Sequence, residues 1–310
     1  MASFGDSWVS VASRDSGTVF LGREYLCNLF VASQYNPGRK GGSDYRRDVA
    51  VVESSVFAYA FFAADTLGLY IIKYAPEGIG DPDSVGGYNT PGVSQGIAIE
   101  GNYAYLADGW GGLWIFDIRD PENLPSPVNL DTGWADDVAV SSGYVYVAAA
   151  GSLVVVDARD PAHPYVEGEL PIDLDPITGV AVSGQFVYVV GWGFLPDSPS
   201  TNLFVIDVSD PSAPVHVGSF VSRGGANGVS VAGSYAYMAY AYSRVFNRNH
   251  GVNVIDISEP RKPRLAAFAE TASPAQRVAI AGNYIYVACD AVSPFVAPTG
   301  LQVIDKSPLE

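Results

Sequence analysis

The side chains most able to do chemistry in this chain are its arginines and its tryptophan- and tyrosine-rich segments. Arg223, Arg244, Arg248, His250 and Arg277 gather in the C-terminal third, and Arg23, Arg39, Lys40, Arg46 and Arg47 near the start. A guanidinium presents a bidentate fork to carboxylate, sulfate or phosphate, so gathered arginines point to an anion. Trp110, Trp134, Trp192, Phe194, Tyr240, Tyr242, Phe246 and Phe295 are of the types that stack on sugar rings or apolar groups. The candidate ligand-binding set is therefore Arg47, Trp110, Trp192, Tyr240, Tyr242, Arg244, Arg248, His250 and Arg277. The bland alternatives are arginines paired with neighbouring carboxylates in solvated loops and aromatics packed on one another.

Catalytic and metal chemistry have thinner signals. An enzyme here would use His250 or Tyr242 as acid/base, with Arg244 or Arg277 neutralising a substrate carboxylate. The three histidines, His163, His216 and His250, form no pair at ligand spacing. Asp48, Asp136 and Asp137 could supply oxygen ligands to a Ca²⁺, which takes six to eight of them, but no contiguous calcium loop is present. No other cofactor is expected.

These residues are carried by a repeat. Gly179-Val180-Ala181-Val182-Ser183-Gly184 returns as Gly228-Val229-Ser230-Val231-Ala232-Gly233 and Arg277-Val278-Ala279-Ile280-Ala281-Gly282. Earlier copies start at Ile97 and Val138, with weaker ones at Val49 and Val9, at intervals of 40 to 49 residues. That spacing suits a four-stranded propeller blade. Each copy runs through a two-residue turn into an alternating strand such as Tyr103-Ala104-Tyr105-Leu106. After a variable loop comes a third strand such as Leu203-Phe204-Val205-Ile206-Asp207, then an Asp-Pro or Glu-Pro turn. A fourth strand starts near a second proline. Period-two alternation marks strands, and nothing reads as a long amphipathic helix.

Leu-Phe-Val-Ile-Asp followed by Val-Ser-Asp-Pro resembles the LVIVD repeat of bacterial and archaeal exported proteins. The resemblance covers residues 90–308 well and 1–89 loosely. It implies a propeller, often on secreted or surface-anchored proteins, and fixes no catalytic residue. The expected fold is all-β: a single β-propeller domain over 1–310 with seven blades of four antiparallel strands, six blades being the alternative. The last repeat stops before its fourth strand, and Ala2-Ser3-Phe4 are placed to complete it, which would protect an edge.

Blade geometry converts position into place. The connection into the first strand and the loop between the second and third strands share one face, here called the top. The tight turns and Asp-Pro turns share the other. Variable loops on a uniform scaffold are where binding residues concentrate, so the candidate site belongs on top. Asp117, Asp157, Asp207, Asp256 and Asp305 recur once per blade on the bottom. A catalytic acid in every blade makes no chemical sense, whereas an Asx side chain bonding the backbone two residues on does.

Composition narrows the partners. Formal charge is −16 and pI near 4.4, which repels phosphate backbones, so nucleic acid is not expected. No window is long and apolar enough for a membrane span, and no basic segment followed by an apolar core opens the chain. Met1-Ala2-Ser3 and Leu309-Glu310 read as junctions, with an export signal expected to have been removed. Ring closure would bring Cys27 and Cys289 together on the top face, and a disulfide between them would mark an oxidising compartment; the alternative is two buried thiols. The leading expectation is an extracellular or cell-surface binding module whose top loops hold an anionic glycan or protein ligand. The rivals are a lyase or hydrolase acting on anionic polysaccharide and a purely structural module of a larger surface protein.

Overall fold

The computed structural model describes residues 9–13, 17–21, 34–35, 48–53, 58–74, 83–174, 176–195, 198–223, 225–241, 250–271, 274–289 and 301–307. Its regular elements are strands, turned by residues suited to reversal. At five of the tight turns a glycine takes the left-handed conformation: Gly101, Gly143, Gly184, Gly233 and Gly282. Each such turn closes a hairpin whose partners alternate between faces, as in Val140 opposite Val145.

The first sheet is β1 (Val9–Ser13), β2 (Gly17–Leu21) and β3 (Gln34–Tyr35). The next holds β4 (Asp48–Glu53), β5 (Ala58–Ala63), β6 (Leu69–Tyr74) and β7 (Asp83–Tyr88). Then come β8 (Gly96–Glu100), β9 (Tyr103–Ala107), β10 (Leu113–Asp117) and β11 (Val128–Leu130). They are followed by β12 (Ala135–Ser141), β13 (Tyr144–Ala149), β14 (Ser152–Asp157) and β15 (Tyr165–Pro171). A further sheet is β16 (Ile177–Ser183), β17 (Phe186–Leu195), β18 (Ser198–Asp207) and β19 (Val215–Arg223). After it lie β20 (Gly225–Ala232), β21 (Tyr235–Ala241), β22 (His250–Asp256) and β23 (Arg264–Thr271). The last sheet has β24 (Ala275–Ala281), β25 (Tyr284–Cys289) and β26 (Leu301–Asp305).

The expectation of seven four-stranded blades is thereby corrected. Among the described residues β4 to β26 build six blades, five of four strands and one of three. The N-terminal segment adds only the small sheet β1–β3, whose third strand is two residues long. The departure is clearest in the described part of the first repeat, where β2 pairs with β3 only through Thr18–Tyr35 and Val19–Gln34, too short a third strand to build out a full blade. The inner strands β4, β8, β12, β16, β20 and β24 stand in ring order, and β1 lies against both β24 and β4. Ala2-Ser3-Phe4, expected to complete the last blade, lie outside the described residues.

Hydrophobic core fills the space between neighbouring blades rather than one central volume. Phe61 and Ile71 pack on Leu106 and Phe116 between the β4–β7 and β8–β11 sheets. Leu153 and Val155 meet Val187 and Ile206 two junctions on, between the β12–β15 and β16–β19 sheets. Asp117, Asp157, Asp207, Asp256 and Asp305 each accept the backbone N–H two residues later, at 2.9 to 3.1 Å. They are turn formers on the bottom face, as their repetition implies. The neighbouring Pro carbonyls press on fourth-strand glycines of the preceding blade. A Cβ on Gly86, Gly168 or Gly218 would stand 3.0, 2.4 or 2.2 Å from the carbonyl oxygen of Pro121, Pro211 or Pro260.

Candidate functional site: the top face and the axial mouth

The described top face carries a tryptophan pair on a rigid mount. Trp110 sits in the β9–β10 turn, between Gly109 (φ +54°) and Gly111-Gly112 (Gly112 φ +69°). Beneath it Asp108 is fully buried. Its Oδ1 accepts the Thr90 and Ser94 hydroxyls, each at 2.6 Å, and its Oδ2 accepts the Gly92 N–H at 2.8 Å. Reciprocal backbone bonds of 2.9 Å between Gly109 and Ala135 clamp this turn to the start of the next blade. Trp134 precedes that clamp, and its indole N–H donates to Asp136 Oδ1 at 2.8 Å. The two indoles lie 6.0 Å apart between centroids, inclined at 55°, with Trp110 59 % and Trp134 40 % exposed. Two large aromatic side chains left in solvent on hydrogen-bonded mounts form a preorganised contact surface.

The axial mouth is charged. One residue per blade precedes the recurring Val or Ile of the inner strand: Asp48, Gly96, Asp137, Gly179, Gly228 and Arg277. Before four of them the strand bulges by one residue, at Asp136, Thr178, Asn227 and Gln276, which kinks the chain toward the axis. The bulge residues tie blade to blade: Thr178 Oγ1 donates to the Ala226 carbonyl at 2.6 Å and Asn227 Nδ2 to that of Ala275 at 3.0 Å. Arg277 reaches across the glycine positions, its Nη1 donating to the Thr178 and Asn227 carbonyls at 3.0 Å each. The same nitrogen is 3.7 Å from Asp137 Oδ2. Asp137 accepts the Val180 N–H and Asp48 accepts the Ile97 N–H, both at 3.0 Å. Asp48, Asp137 and Arg277 line a cavity of about 220 Å³ floored by the recurring valines and Ile97.

Burial dominates the electrostatics there. It pushes the Asp48 carboxyl up to about 6, with Arg277 opposing and Asp137 reinforcing. Asp137 is raised by burial too, against the pull of Arg277 and its backbone donors. Burial alone would lower Arg277, but the carboxylates of Asp137, Asp48 and Asp136 more than reverse it. The guanidinium thus stays charged between acids that resist ionisation.

The remaining expected site residues are dispersed. Trp192 is half-buried, its indole lying where a Cβ on Gly225 would meet it at 2.2 Å. Tyr240 is buried edge-on to Phe268 at 6.2 Å. His250 is half-buried at the head of β22, its pKa lowered by burial against the opposing charge of Glu270. Arg47, Tyr242, Arg244, Arg248 and Cys27 lie outside the described residues. Cys289 is fully buried at the end of β25. Asp48 and Asp137 come together with Arg277, and Asp136 sits beside Trp134. Among the described residues no three His, Cys, Asp or Glu side chains are gathered as a metal site would require. Sequence reasoning missed the mount of Trp110. It also missed the axial glycines, which aligning the residue before each recurring Val or Ile would have found.

The LVIVD repeat is matched over residues 91–130, 132–170, 178–221, 223–271 and 273–292, more than half of the chain. The protein belongs to the LVIVD-repeat family. No curated protein matches this LVIVD-repeat chain. Among solved structures it is similar to Sqt1 from Chaetomium thermophilum, with a TM-score of 0.59 and 14% identity, over 92% of this chain and 79% of that one. It is also similar to the computationally designed Ika8 protein, with a TM-score of 0.56 and 11% identity over 98% and 94%. A third likeness is the Cps50 (Swd1) beta-propeller domain of Myceliophteria thermophila, with a TM-score of 0.56 and 11% identity over 84% and 87%. At these identities the likeness is one of fold. An LVIVD-repeat propeller is an interaction or structural module. Among the described residues no helix is long and apolar enough to cross a membrane.

Proposed function

We propose that this LVIVD-repeat protein is an extracellular or cell-surface interaction module that holds a protein ligand on its top face. The observation that carries the reading is the Trp110–Trp134 pair, solvent-exposed and fixed by the Asp108 knot and the Gly109–Ala135 clamp. Tryptophans held in place before binding lose little freedom when a ligand arrives, and tryptophan is enriched among the residues that dominate interface energetics. The acid excess and scarcity of lysine support a place outside the cell. An anionic glycan as ligand rests on Arg47, Arg244 and Arg248, outside the described residues, and on Arg277, which is engaged at the axis.

The test is an array of surface proteins and glycans probed with the whole chain and with Trp110→Ala. Ligands captured by the parent chain and lost by the variant, at unchanged melting temperature, support the reading. Capture that is indifferent to Trp110 and Trp134 overturns it.

A further inference from the structure

Resting on that reading, we infer that the Trp110–Trp134 corner receives a positively charged side chain, arginine or lysine, from a basic segment of the protein ligand. The face of an indole carries negative quadrupole charge and attracts ammonium and guanidinium groups, more strongly than the ring of Phe or Tyr does. Here two indoles inclined at 55° stand 6.0 Å apart, both substantially exposed. A carboxylate is built into the corner, since Asp136 holds the Trp134 indole N–H at 2.8 Å. Asp131 is exposed three residues before Trp134, its Oδ1 accepting the Gly133 N–H at 3.0 Å.

The rest of this sector is free of competing cations. The top connections of the β8–β11 and β12–β15 blades, residues 89–95, 108–112, 131–134, 150–151 and 172–176, contain no Lys, Arg or His. Arg277 is turned to the axis, and Arg119 and Arg159 lie in bottom turns against Asp117 and Asp157. Local field and overall charge of −16 therefore draw a cation to the corner, and the paired indoles give it a surface on which to stack.

Binding of a fluorescein-labelled octapeptide of alternating arginine and serine to the whole chain, read by anisotropy, tests this. Saturable binding is expected, weakened roughly 5- to 30-fold by Trp110→Ala and by Trp134→Ala, and less by Trp110→Phe. It should persist in part at about 0.5 M NaCl, where charges more than a few Å apart are screened. A peptide with citrulline in place of arginine, equal in shape but neutral, should bind at least several-fold more weakly. Circular dichroism and melting of each variant establish that it is folded. Equal binding by Trp110→Ala overturns the inference, because charge alone would then account for it. So does equal binding of the citrulline peptide, or no binding of the arginine peptide. If basic peptides fail while another ligand is lost on Trp110→Ala, this inference falls and the tryptophan surface stands. If no ligand responds to either tryptophan, both fall.

Discussion

Arg277 Nη1 stands 3.7 Å from Asp137 Oδ2, although the two residues lie three blades apart along the chain. The contact spans the axial mouth because Gly179 and Gly228 occupy the corresponding positions in the two blades between. A Cβ on Gly228 would come within 3.3 Å of the Arg277 Cδ and 3.4 Å of its Nη1. One long cation thus serves the buried carboxylate of Asp137, the half-buried one of Asp48 and two backbone carbonyls, tying the blades of β12, β16 and β20 to that of β24. Arg277, read from sequence as one of the gathered arginines of the candidate ligand-binding set, joins blades around the axis.

Replacing Arg277 should therefore cost stability. Removing one member of a buried charge cluster leaves the others uncompensated, which typically costs roughly 3–5 kcal/mol, somewhat less where one partner is partly exposed. Arg277→Ala is expected to lower the melting temperature clearly at pH 7. The loss should shrink near pH 5, because Asp48, whose carboxyl is pushed up to about 6, can then protonate. Denaturant melts at the two pH values decide it, and a loss independent of pH would contradict the role assigned to the charge.

Asp48 gives the protein a pH dependence of definite sign. Its folded pKa, about 6, lies above its ordinary value of 3.8, so the folded state holds the proton more tightly than the unfolded chain does. Its protonated form favours folding below about pH 4, and that advantage is lost as pH rises to about 6 and beyond. Asp48→Asn keeps an oxygen for the Ile97 N–H and removes the charge. The variant should be more stable than the parent at pH 7 by roughly 1–3 kcal/mol and should flatten the stability profile between pH 4 and 6. Urea melts across that range would show the opposite slope if Asp48 is instead stabilised as a carboxylate.

Much of this molecule is legible in its residues because the repeat makes them agree. The inner strands contain the recurring Val9, Val49, Ile97, Val138, Val180, Val229 and Val278, and the repeated aspartates form the Asx turns their spacing implies. What the repeat conceals is where it breaks. Full blades are expected where, among the described residues, β1–β3 and β24–β26 form three-stranded sheets, since a strand can be recognised without its neighbour being present. The site was less legible. Trp110 and Trp134 can be assigned to one face from their loops, but that they pair depends on the Gly109–Ala135 bridge between blades. Tyr240 looks like a loop aromatic and proves to be core, because β21 continues further than its alternation suggests.

The fourth-strand glycines should be ranked by the contact each would make. A Cβ at Gly218 would meet the Pro260 carbonyl oxygen at 2.2 Å, at Gly168 that of Pro211 at 2.4 Å, and at Gly86 that of Pro121 at 3.0 Å. Backbone cannot move aside as a side chain can, so the blade junction must open. Gly218→Ala and Gly168→Ala should each cost roughly 1–3 kcal/mol, and Gly86→Ala less. Chemical denaturation of the three variants checks the order; equal losses would mean that the junction is not close-packed there.

Asp108 should control the tryptophan surface without touching a ligand. Asp108→Ala strands the Thr90 and Ser94 hydroxyls and the Gly92 N–H in a buried site, at a cost of roughly 3 kcal/mol or more. Asp108→Asn should cost much less. Its amide oxygen can take the Gly92 N–H, while its NH₂ donates to the two hydroxyls, which accept as readily as they donate. Binding should follow the mount: at a temperature where both variants are folded, Asp108→Ala loses affinity for a Trp110-dependent ligand and Asp108→Asn largely keeps it. Melting curves and titrations on the same samples separate the two effects. Undiminished binding by folded Asp108→Ala would show that Trp110 holds its place without the knot beneath it.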